Sequence, residues 1–153
     1  MNSKNKHLFG FLLVIYTLSM LWLLLGQRIT PGMTFQYHPP TPDRMNLKPF
    51  ATVDLYLYLL KNTKDQDLLI HSVVNLVGNV VMFIPLGFLL PKTFRPMRIY
   101  PLMVLCVAAG IVFIEILQLI TGLGSCDVDD LILNVIGANM GYLIYLIWRR
   151  KTK

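Results

Sequence analysis

Four apolar runs constrain this chain more than any other feature. They lie at residues 8–25, 68–90, 99–120 and 131–148. Each holds roughly 18 to 23 residues, and at about 1.5 Å rise per residue such a helix crosses a hydrocarbon layer of about 30 Å. Inside lipid the backbone finds no water, so each crossing must close its own hydrogen bonds as a helix. The chain therefore reads as an all-α polytopic membrane protein, one domain over residues 1–153 with four transmembrane helices. The long connection, residues 26–67, leaves no room for a separate soluble domain. Composition agrees, with 14% charged residues against 55% hydrophobic ones, where a soluble domain carries about 25% charged.

Lys4 and Lys6 ahead of the first run raise the question of a cleaved leader. The run is long for one, and the GQRITPG that follows offers no small-x-small cleavage site, so it reads as a retained anchor. Cys106 within the third run and Cys126 beyond it differ in depth, which argues against a disulfide framework or a thiolate metal site. The net charge of +6 matters less than where it sits. Lys4 and Lys6 precede the first run; Lys92, Arg95 and Arg98 fill the loop after the second; Arg149, Arg150, Lys151 and Lys153 close the chain. The loop between the third and fourth runs carries Asp127, Asp129 and Asp130 and no Lys or Arg. The positive-inside rule then puts both termini in the cytoplasm of a bacterial plasma membrane and the acidic loop outside. The basic ends suit anionic lipid, and nucleic acid is not an expected partner.

That orientation assigns depths. Entering from outside, Asn75 lies roughly 10 Å in and Asn79 about 17 Å in, while Glu115 sits less than about 10 Å below the outer surface with Gln118 closer to it. Asp130 stands at the interface, with Asn134 one turn in and Asn139 deeper. Asn75 and Asn79, Glu115 and Gln118, and the series Asp127, Asp130, Asn134 each share one helix face by their three- and four-residue spacing. A charge at mid-bilayer costs on the order of 2 to 3 kcal/mol, so such faces turn toward one another. One polar pocket open to the outside is expected, lidded by residues 26–67.

Small residues bear on packing. Gly137 and Gly141 form a GxxxG ridge, Gly78 beside Asn79 invites close approach, and Pro85 is a kink site. In the long loop, QYHPPTPDR is turn-rich. In ATVDLYLYLLKN, Val53, Tyr56, Leu57 and Leu60 recur at helical spacing. That run is too short to span, so an amphipathic or partly re-entrant segment at the outer surface is expected, with Arg44 and Lys48 near the acidic mouth.

The stretches RMNLKPF, NLVGNVVMFIPLGFLLP and IEILQLITGLGSCDVDDLILNVIGANMGY, in that order, resemble the VanZ-like family of small bacterial membrane proteins. The likeness covers roughly residues 44 to 148. It implies a multi-pass membrane protein tied to low-level resistance to the glycopeptide teicoplanin, and supplies no reaction. Matched block by block, the family's recurrent polar positions fall on Asn46, Asn75, Asn79, Glu115, Gln118, Asp127, Asp130 and Asn134.

Each of these has a plain structural reading. Asp127 and Asp130 suit the N-terminal cap of the fourth helix, and Asn75 and Asn134 suit interhelical bonding. His71 suits an interfacial side chain. Glu115, alone in an apolar helix, points most strongly to function. Three functional readings follow. The favoured one is a non-enzymatic factor whose pocket binds a membrane lipid or lipid-linked cell-wall precursor, without a cofactor. The second is an intramembrane enzyme on a lipid head group, with Glu115 as acid or base and a divalent cation on Asp127 and Asp130. The third is a small transporter or assembly subunit, which would have to oligomerise because the inner half of the helices lacks polar steps.

Overall fold

The computed structural model describes residues 3–25, 41 and 44–151, with side chains from His7 onward. Most of QYHPPTPDR, including His38, lies outside them, as do the side chains of Lys4 and Lys6. The element order is α1 (Ser3–Leu25), β1 (Met45–Asn46), α2 (Ala51–Asn62), α3 (Gln66–Thr93), a 3-10 turn (Pro96–Arg98), α4 (Tyr100–Thr121), β2 (Cys126–Asp127) and α5 (Val128–Lys151). Helices α1, α3, α4 and α5 are each long and apolar enough to cross a membrane. The expected interfacial segment is α2, whose 12 residues cannot span.

The ends of these helices follow from local chemistry. Asp65 caps α3, its carboxylate accepting from the backbone N–H groups of Asp67 at 2.9 Å and Leu68 at 3.3 Å. Pro101 sits in the first turn of α4, where a missing N–H costs nothing, and Gly122 stops that helix in the left-handed region at φ 73°. In α5, Asp129 and Asp130 occupy the first turn and Arg149, Arg150 and Lys151 the last, each sign matched to the helix dipole.

The α3–α5 pair is the spine of the bundle. A Cβ on Gly137 would land on the Val80 carbonyl, one on Gly141 on the Ile84 carbonyl, and one on Gly87 on the Ala138 carbonyl. The two backbones thus touch along the GxxxG ridge, as its spacing predicts, with Gly87 answering from the opposite helix. Gly78 differs from expectation: an added Cβ there meets only Val74 of its own helix, at 3.9 Å. Helix α1 leans on α3, and its Tyr16 hydroxyl donates to the Met82 carbonyl. Helix α4 packs on α5, burying Met103, Val107 and Ile111 with Phe83, Ala138 and Tyr145. Between α1 and α4 an apolar groove of about 380 Å³ remains, lined by Met20, Leu21, Phe83, Ile111, Phe113 and Ile114 among others.

Candidate functional site

The site lies where the C-terminal ends of α1 and α4 meet the N-terminal ends of α3 and α5. Two short strands organise it. β1 pairs in parallel with β2, Met45 opposite Cys126 and Asn46 opposite Asp127. Arg44 secures this bridge from one side by donating to the carbonyls of Gly122 and Gly124, and Lys48 is exposed. Asp127 is a junction. Its carboxylate accepts from the Asp129 N–H at 2.8 Å, capping α5, from Thr52 Oγ1 at 2.5 Å, and from Asn46 Nδ2 at 3.3 and 3.4 Å. Its own N–H donates to Glu115 Oε2 at 3.1 Å. The expected cap role of Asp127 is therefore real, and the same side chain also tethers α2.

Asp129 carries the main feature that sequence reasoning missed. Its side chain is fully buried and accepts from the backbone N–H groups of Phe50 at 2.5 Å, Thr52 at 2.8 Å and Val53 at 3.0 Å. These are orphan donors at the start of α2, which has no side-chain cap of its own. Asp129 thus caps a different helix across space. Phe50 adopts φ 67°, the left-handed region, a conformation that costs a non-glycine residue about 1 to 2 kcal/mol. Three charge-assisted bonds at one carboxylate offset it. The only sequence signal was position: Asp129 falls off the face shared by Asp127, Asp130 and Asn134.

Inside this frame lies a cavity of about 470 Å³. Asn75, Asn79, Glu115, Gln118, Asp127, Asp130 and Asn134 all line it, joined by Thr52, Tyr56, His71 and Ser125. Asn46 stands behind Asp127, outside the lining. Asn79 Nδ2 donates to Asp130 Oδ1 at 2.5 Å, binding α3 to α5. Gln118, largely buried, donates from Nε2 to the Leu24 carbonyl at 3.0 Å and so satisfies an orphan acceptor at the end of α1. Asn75 turns back to the His71 carbonyl at 3.0 Å, a bond within its own helix and not between helices. His71 stacks edge-on with Tyr56, ring centroids 5.8 Å apart, at the cavity wall. Asn134 is buried, and its Oδ1 has no hydrogen-bond partner. Asn139 Oδ1 is likewise unpartnered but is not part of the lining.

Among the described residues, the carboxylates Glu115, Asp127 and Asp130 line the cavity and no Lys or Arg does. The Cys126 thiol is pushed up by burial and then by the charges of Glu115 and Asp127. The Tyr56 phenol is pushed up by burial and then by Asp130 and Asp127. Among the described residues, no three His, Cys, Asp or Glu side chains gather as a metal site.

A model of the VanZ/LLP1 family matches residues 11–149, which takes in every element of the site. The chain belongs to the VanZ/LLP1 family. It is similar to Protein VanZ of Enterococcus faecium, 27% identical over 135 residues that cover 88% of this chain and 71% of that protein. No solved structure matches. In this VanZ/LLP1 chain the matched segment holds all four candidate spans in nearly their full length, so it is a polytopic membrane protein.

Proposed function

We propose that this protein is a non-enzymatic factor of the bacterial plasma membrane. Its polar cavity faces the cell exterior and holds the head of a lipid or lipid-linked envelope component. Occupancy there changes how teicoplanin-type glycopeptides reach their targets, in keeping with the family's association. The observation that carries this reading is the convergence of amides and carboxylates from α3, α4 and α5 on one cavity of head-group size, about 470 Å³. The separate apolar groove between α1 and α4 offers an acyl chain a place on the same pair of helices. Lys92, Arg95 and Arg98 gather at the opposite end with Arg149, Arg150 and Lys151, and by the positive-inside rule that end is cytoplasmic. Binding is favoured over catalysis because Glu115, the one candidate acid or base, is engaged by the Asp127 N–H.

The test joins phenotype to lipid content. In a glycopeptide-susceptible host, Asn79→Leu, Glu115→Gln and Asn134→Leu should each lower teicoplanin tolerance by degrees at unchanged membrane abundance. Wild-type protein should co-purify with a lipid that the variants retain less. If Glu115→Gln alone abolishes activity while the amide variants are silent, the reading is wrong and a reaction is at work. Ser125→Cys, exposed at the cavity end, should react with a membrane-impermeant maleimide added outside intact cells; labelling only after lysis would reverse the topology.

A further inference from the structure

Charge in this chain is sorted by end. All eight Asp and Glu residues fall within 43–67 and 115–130, and the described ones stand at the cavity end of the bundle. Lys92, Arg95, Arg98, Arg149, Arg150 and Lys151 gather at the other end, where the sequence supplies no Asp or Glu to face them. Their counter-charge comes from outside the chain, and beside a membrane the nearest fixed source is an anionic lipid head. The described cations of this end are not equivalent. Lys92 is buried among the rings of Phe9, Phe88 and Trp148, and Arg98 turns inward, its Nε donating to the Pro91 carbonyl at 3.2 Å. Arg95 is exposed at the start of the 3-10 turn, and it lines a cleft of about 790 Å³ between that turn and the first half of α1. The cleft is graded in polarity. Leu13 and Val14 of α1 face Phe94 and Pro96 as apolar walls, with Val14 and Phe94 exposed. His7 lines the cleft as well, about 10 Å nearer the start of α1 than Val14 at 1.5 Å per residue. Nitrogen donors from both sides thus stand over apolar walls that run toward mid-membrane.

We infer that this cleft is a second lipid site, for a cytoplasmic-leaflet phospholipid whose head is net anionic. Its phosphate lies against the Arg95 guanidinium, whose fork of N–H donors matches phosphate oxygens. The His7 imidazole offers a further N–H from the facing wall, and an acyl chain follows Leu13 and Val14. A lipid fits better than a free phosphate, because a solvated anion leaves the exposed apolar surface of Val14 and Phe94 in place. A zwitterionic head brings its own ammonium among cations, so it is the weaker ligand. The cleft stands at the opposite end of the bundle from the polar cavity, and neither reading needs the other.

The experiment uses the full-length protein, delipidated in detergent and titrated with phosphatidylglycerol, phosphatidylethanolamine or phosphatidylcholine of identical acyl chains, bound lipid being counted by native mass spectrometry. Phosphatidylglycerol should bind about tenfold more tightly than either zwitterionic lipid. Arg95→Gln should bring the three within about twofold. Arg150→Gln removes the same charge from the same end but not from the cleft lining, and should leave the preference standing. Equal losses from both variants would reduce the effect to diffuse surface charge and overturn the site. Gly10→Leu fills the cleft and leaves every charge in place, so it should weaken phosphatidylglycerol by about fivefold. A Cβ at Gly10 meets only the Thr93 methyl, at 3.9 Å, so the backbone there has room for a side chain. If Gly10→Leu fails to fold, the comparison of Arg95→Gln with Arg150→Gln, both at exposed positions, still decides. Inorganic phosphate in excess should leave phosphatidylglycerol bound; full displacement by it would mean a site for a free anion and overturn the lipid assignment. Asn79→Leu, in the polar cavity, should not alter the preference. If it abolishes the preference, the anionic lipid belongs to the cavity and the cleft is empty of function, whereas loss of the cavity's own ligand with this preference intact would strike only the earlier reading.

Discussion

Both ends of this bundle bury a charged side chain, and they do so by opposite means. At the cavity end Asp129 is 0% exposed and is held by three backbone N–H groups of the α2 start. At the other end Lys92 is 1% exposed, and its Nζ has no hydrogen-bond partner. Its surroundings are rings: the Phe9 centroid lies 4.1 Å away and that of Phe88 5.5 Å, with Trp148 against the ammonium. The carboxylate is a directional connector between chain segments distant in sequence. The ammonium is a contact among ring faces, which accept a cation without fixing its direction. The cavity end is specified atom by atom; the Lys92 end is specified mainly by shape.

The largest effect should come from Asp129→Ala. Three orphaned N–H groups at about 1 to 2 kcal/mol each predict a loss on the order of 3 to 6 kcal/mol, read as a lowered unfolding midpoint in detergent. A loss smaller than that of Lys92→Met would reverse the comparison. Gly137→Ala comes next, because its Cβ meets the Val80 carbonyl on the facing helix; about 1 to 3 kcal/mol is expected. Since Gly137 sits in the seam that joins the ends, ligand binding at the cavity should weaken with it. Lys92→Met removes the cation–π contact and the cost of burying a charge together, so its stability should stay within about 1 kcal/mol of wild type. Phe50→Gly should raise stability by a few tenths to about 1 kcal/mol, because it relieves the left-handed residue that Asp129 otherwise holds; if the variant is less stable, the Phe50 ring and not the backbone matters there.

The smallest effect is kinetic. Burial, and after it the charges of Glu115 and Asp127, hold the Cys126 thiol up by opposing its thiolate. Neutralising Glu115 as Gln lowers that thiol, enlarges the thiolate fraction at pH 7 and should speed maleimide labelling by about two- to fivefold. Lys92→Met, at the far end, should leave the rate unchanged. Equal acceleration by both would mean that the two ends communicate through something other than local charge.

The spans were legible because lipid imposes one solution on a long apolar run, and the GxxxG ridge because close helix approach needs small residues at a fixed spacing. Shared faces, too, follow from helical periodicity: Asp127, Asp130 and Asn134 line one cavity with Asn79 and Glu115. The roles within that cavity were less accessible. Nothing in the residue order says that Gln118 serves the end of α1, that Asn75 turns back on its own helix, or that Gly78 makes no close approach. Those outcomes depend on side-chain rotamers and on which neighbour presents an unmatched group.

What the sequence determined alone, then, is periodic and one-dimensional: four helices long and apolar enough to cross a membrane, which residues share a face, and where the positive charge clusters. Such properties depend on residue type at regular intervals and on the uniform demand of the bilayer, so no partner segment needs to be known. What only the tertiary structure decided is pairing. Asp129 meets the start of α2 across roughly eighty positions of chain, and β1 meets β2 over a similar interval. A hydrogen bond of about 3 Å requires its two groups in one place at a set angle, and that condition is created by packing, not by spacing along the chain.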